Sequence, residues 1–98
     1  MALFPILRKL VDAQEMHRQH PDTFEVPSAH ELAAIVPGDY VKICRGNERF
    51  WCRIDGAAGK YLIGTVDTPL VNEENADINI PGLRVRIEHR HIYSVMKR

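Results

Sequence analysis

Residues 40–54 read YVKICRGNERFWCRI, two alternating runs joined by Gly46-Asn47. Gly-Asn between two runs of period two signals a hairpin with a two-residue turn, because the central positions of a primed turn need φ > 0 and these residues tolerate it. Strands are therefore expected at Tyr40–Arg45 and Glu48–Ile54, with Arg45 facing Glu48. That register puts Val41, Ile43, Phe50, Cys52 and Ile54 on one face, the expected core side. Tyr40, Lys42, Cys44, Arg49, Trp51 and Arg53 fall on the other.

Reading downstream, Asp55-Gly56-Ala57-Ala58-Gly59 is expected as a five-residue loop and Lys60–Val66 as a third strand, which makes a meander. Residues 67–82 hold two prolines, several Asn and a run of acids without sustained periodicity, the pattern of a long surface loop. Leu83 to Glu88 alternates strictly and predicts a fourth strand with Leu83, Val85 and Ile87 inward. A short fifth strand is expected at Ile92–Val95, after a polar corner at Glu88–His91.

Reading upstream, Leu3, Ile6, Leu7, Leu10, Val11 and Gln14 share one stripe at helical spacing. The spacing predicts an amphipathic helix within residues 1–20, with Pro5 in its first turn and Pro21 as its stop. Ser28 and Glu31 have the spacing of a capping box, so a second, short helix is expected within residues 27–36, followed by a turn at Pro37-Gly38-Asp39. The fold class is α+β: one domain over 1–98, with two N-terminal helices and a strongly bent, mostly antiparallel five-stranded sheet. An SH3-like open barrel is one form such a sheet takes.

The 98 residues are 45% hydrophobic and 27% charged, which is enough apolar surface for a folded core. Thirteen basic residues balance thirteen acidic ones, so attraction to a polyanion requires a local patch and not a net field. Cys44 and Cys52 lack the spacing of a zinc or redox motif and read as free thiols, which together with the missing leader and membrane span gives a cytoplasmic expectation and no membrane partner.

Catalysis needs a nucleophile with a base in reach, paired carboxylates or a metal. None of the motifs that carry these appears, so no catalytic residue, no cofactor and no enzymatic activity are expected. His17 with His20, and His89 with His91, offer two ligands each, but third and fourth ligands are missing from the local sequence and no metal is expected. Cys44 beside Arg49 has the charge setting that activates a thiol, yet no His stands near it in sequence. The informative feature is the outer face of the hairpin, with Lys42 opposite Trp51, Arg49 and Arg53 flanking it, and Tyr40 and Tyr61 extending it. These residues read in three ways: a floor for the first helix with Arg stems along it, a protein-recognition surface, or a base-stacking and phosphate-binding surface. Protein recognition leads, nucleic acid is the alternative, and the oligomeric state stays open.

Residues 48–95 resemble the YegJ-like small bacterial domain of unknown function, through Phe50-Trp51, Gly64, Val66-Asp67, Pro69 and His91-Ile92-Tyr93. The match departs at Thr68 and at Gly82-Leu83. The resemblance implies a fold whose strand order agrees with the meander, and it implies no mechanism. In size and charge balance the chain also looks like accessory proteins of phages and mobile elements, which act by binding and blocking a host protein.

Overall fold

The computed structural model of the protein describes residues 4–97, so Leu3 of the expected helical stripe lies outside the described residues. The central hairpin forms in the expected register. Strands β1 (Tyr40–Arg45) and β2 (Glu48–Ala58) pair antiparallel, with Arg45 opposite Glu48 and Lys42 opposite Trp51. Gly46 sits at φ +64°, a left-handed conformation that favours glycine, while a Cβ there would only displace the flexible Glu74 carboxylate.

The loop expected at Asp55–Gly59 is corrected, because β2 continues to Ala58 and turns through Gly59-Lys60 into β3 (Tyr61–Val66). The pairing shifts between Ile54 and Gly56, which leaves Asp55 as a bulge. Its carboxylate accepts from Arg53 Nε (3.2 Å) and from the Thr65 hydroxyl. A strand can hold a Gly and an acid when a bulge turns the acid toward partners on one face. Strands β4 (Arg84–Ile87) and β5 (Ser94–Met96) complete an antiparallel sheet of order β4-β3-β2-β1-β5. This sheet is open, with β4 and β5 at its ends, and does not close strand to strand into a barrel.

The expected N-terminal helix is corrected more deeply. Leu7 N–H donates to Arg86 O (3.0 Å), Arg86 N–H to Pro5 O (2.8 Å) and Val11 N–H to Cys44 O (2.9 Å). Residues 5–11 thus run along the sheet margins, Ile6 bridging β4 at Arg86 and Leu10 bridging β1 at Arg45. Unpaired strand edges offer backbone partners that outweigh the small propensity advantage of a helix containing proline. The helix α1 begins only at Ala13 and ends at Gln19, capped by Asp12, whose carboxylate accepts from Glu15 N (3.0 Å). The second helix, α2 (Ala29–Ala33), has the capping box its sequence announces, with Ser28 and Glu31 exchanging both bonds.

The inner sheet face is the core. Val41, Ile43, Phe50, Cys52, Ile54, Leu62, Val85 and Ile87 pack with Leu7, Leu70, Ile78 and Ile92. Leu70 and Ile78 belong to the segment expected to be a surface loop, and that expectation is corrected. The segment folds into a 3₁₀ turn, Glu73–Ile78, whose Asn75 is fully buried. Two polar residues that end the inner face of the hairpin hold it. Glu48 accepts from Val71 N (2.7 Å), Asn72 N (3.2 Å) and Asn75 Nδ2 (3.0 Å), and the buried Arg45 grips Asp77 with both terminal nitrogens (2.8 and 3.1 Å).

Candidate interaction face

The alternation that buries the hydrophobic set turns the remaining strand positions to the opposite side. β1 contributes Tyr40, Lys42 and Cys44, and β2 contributes Arg49, Trp51 and Arg53. Tyr40 lies opposite Arg53 and, on its other side, opposite Met96. Arg53 lies opposite Thr65, and Thr65 opposite Arg84. The face therefore extends onto β4, where Arg84 and Arg86 alternate with buried Val85 and Ile87. Neither arginine was singled out from the sequence, although the strict alternation of Leu83 to Glu88 already fixes their phase.

Of the sequence-predicted residues, Tyr40, Lys42, Trp51 and Arg53 come together and are half-buried. Lys42 Nζ sits 5.0 Å from the centre of the Trp51 ring. Arg49 is exposed at one end of this group, its guanidinium 4.8 Å from the Tyr93 ring and 6.0 Å from Phe24. Tyr61 is not part of the cluster. It pairs with Ala58 at the opposite end of the sheet, with Arg86 and Lys60 over its ring at 5.1 and 5.3 Å.

The reading of this face as a floor for the first helix resolves by position. Ala13 of α1, with Val11, Phe24 and Val26, covers only the end at Cys44 and Tyr93. Cys44 is buried there, and burial pushes its thiol up despite Arg49 beside it. Cys52, in the core, is pushed up to about 12 by burial and by the Asp67 and Asp55 carboxylates. Both sulfurs are thus held away from the thiolate form that nucleophilic chemistry needs.

Electrostatically the strand residues of this face are one-sided. Lys42, Arg49, Arg53, Arg84 and Arg86 stand against Asp55, which is 3.2 Å from Arg53 and 3.9 Å from Arg84. At the margin, Asp22 and Glu25 line a polar cleft of about 310 Å³ with Lys42 and Arg49. Asp67 adjoins Trp51, donating its backbone N–H to Trp51 O (3.0 Å).

The histidines lie elsewhere. His17 Nδ1 is 2.6 Å from Phe24 O, while His91 is buried in a 3₁₀ turn, His89–His91. Among the described residues no three His, Cys, Asp or Glu stand together as a metal-binding group, and no helix is long and apolar enough to cross a membrane. Comparison with protein-family models, curated proteins and solved structures finds no match for this chain.

Proposed function

We propose that the protein is a non-enzymatic binding module that recognises a protein partner through the outer face of its sheet, centred on Tyr40, Lys42, Trp51 and Arg53. The observation that carries this reading is the pairing of rings with cations: Lys42 lies over Trp51 and Arg49 over Tyr93. A base-stacking surface needs open aromatic planes, whereas these planes hold guanidinium and ammonium groups of the same chain. What the face offers is a set of cation heads pinned by rings, interrupted by Asp55 and bordered by Asp22, Glu25 and Asp67. Five cations at fixed spacing, interrupted by one carboxylate and bordered by others, favour a discontinuous acidic surface on a protein over a continuous phosphate track. Trp, Tyr and Arg are also the residues that dominate interface hot spots.

Two buried thiols suit a reducing compartment, and a cytoplasmic site belongs to this proposal. So does a blocking action of the kind used by phage and mobile-element accessory proteins. The YegJ-like resemblance carries no activity and adds none to the reading.

The test compares wild-type protein with Trp51→Ala and Arg53→Glu variants as bait for lysate of the native cell, followed by mass spectrometry and by titration of the captured protein. A partner held by wild type and lost by both folded variants is expected. Single-stranded RNA and DNA are titrated in parallel over a salt series. Tight binding whose log K falls by about 0.7–0.9 per neutralised phosphate against log salt would replace protein recognition with nucleic-acid binding.

A further inference from the structure

A second concave site shares no lining residue with the outer face. It is a cleft of about 400 Å³ between the N-terminal segment and the 3₁₀ turn Glu73–Ile78, within the size range of small-ligand sites. Leu7, Ile78, Leu83 and Val85 give it an apolar floor, and Arg8 and Lys9 stand at its rim. Arg45 and Asp77 also line it but satisfy one another. Arg45 donates to both Asp77 oxygens and to Arg8 O (3.1 Å), and this pairing, with Lys9 nearby, holds the Asp77 carboxyl below the usual range. Among the described residues, Arg8 has no ion pair and Lys9 makes no salt bridge of its own. The lining thus carries three cations against one carboxylate in a chain of zero net charge. Lys9 further adopts φ 65°, the one described non-glycine residue in the left-handed region, a costly conformation that concentrates at ligand sites.

We propose that this cleft binds a small amphiphilic carboxylate, its head on Arg8 and Lys9 and its short apolar tail on Leu7, Ile78, Leu83 and Val85. Charge complementarity fixes the sign of the head, and the apolar floor requires a tail that acetate lacks. The volume suits a small molecule and not a docked helix or strand.

The experiment titrates the full chain with octanoate, octan-1-ol and acetate while following methyl signals by NMR. Octanoate is expected to shift the methyls of Ile78, Leu83 and Val85, and both controls to bind at least about tenfold more weakly. Arg8→Gln and Lys9→Gln remove exposed charges and should each weaken octanoate by about three- to tenfold. Lys9→Gly removes the charge at a residue whose positive φ glycine adopts freely, so it should bind octanoate more weakly while staying folded. Equal affinity for octanol and octanoate, methyl shifts elsewhere, unchanged binding in the Lys9 variants or no response at low-millimolar octanoate would each overturn the proposal. So would adsorption to phosphatidylglycerol vesicles without octanoate binding, which would make the cations a lipid-surface contact.

Discussion

Phe50 and Trp51 are chain neighbours with opposite tasks, and the difference follows from strand alternation alone. Phe50 is 1% exposed in the centre of the core, while Trp51 is half-buried with Lys42 over its ring. Phe50→Ala should cost about 3–5 kcal/mol, the range for deleting a buried aromatic. Trp51→Ala should cost about 1–2 kcal/mol, because part of its area is already in water. Urea denaturation of the two variants measures the contrast; equal losses would make Trp51 a core residue and remove the centre of the proposed face. At this scale the sequence was informative wherever period two held. The opposed pairs Lys42 and Trp51, Tyr40 and Arg53 follow from one two-residue turn. It was uninformative for Cys44, whose outward phase is plain but whose burial depends on Ala13, Phe24, Val26 and Tyr93 arriving from distant parts of the chain.

Among the elements, the legible ones are those whose signal is local. The hairpin turn, the Ser28–Glu31 capping box and the alternation of β4 each depend on residues within a few positions. Two elements escaped because their partners are remote. The stripe Ile6, Leu7, Leu10 and Val11 fits a helix, but the same residues serve an extended segment pairing with β4 and β1, and backbone bonds to those edges decide between them. The 67–82 segment lacks periodicity because only Leu70, Asn75 and Ile78 point inward from an irregular path. Its anchors were visible as an oddity: Arg45 and Glu48 occupy inner-face positions where apolar residues were due. Asn75→Ala removes the donor to Arg45 O (3.2 Å) and to Glu48, leaving a carbonyl in buried surroundings. The expected cost is about 1–3 kcal/mol. Val71→Ser, at a position 85% exposed, should stay within about 0.5 kcal/mol. Chemical denaturation of both variants checks the claim, and a silent Asn75→Ala would mean that the segment does not depend on this latch.

On the scale of the whole molecule, the charge of the sheet's outer face differs from that of the segment across the core, the cations of the cleft apart. Lys42, Arg49, Arg53, Arg84 and Arg86 crowd the outer sheet face, while Glu73, Glu74 and Asp77 lie on the segment that covers the core side. The neutral total hides this separation, so salt should affect binding at the face far more than it affects solubility. The dependence of folding on pH starts with a group outside both patches. His91 is buried where its 3₁₀ turn meets α1, its Nδ1 has no hydrogen-bond partner among the described residues, and Arg90 beside it bonds Asp12 (3.2 Å). Burial, with Arg90 in support and Glu88 and Asp12 in opposition, lowers its pKa below the ordinary 6.5. On acidification the unfolded chain therefore binds this proton before the folded one does, and stability falls as pH drops through that value toward the folded pKa, then levels. At lower pH a second decline is expected, since Glu15, Glu48 and Asp77 also have lowered values and lose their native hydrogen bonds when protonated. Unfolding free energies measured from about pH 8 to 4 should show both phases, and His91→Gln should abolish the upper one alone. A flat profile above pH ~5 in wild type, or a slope that survives in His91→Gln, would assign the transition to other groups. Because α1 packs on this turn and Ala13 covers Cys44 and Tyr93, the group behind the upper transition lies beside the cover over one end of the outer face.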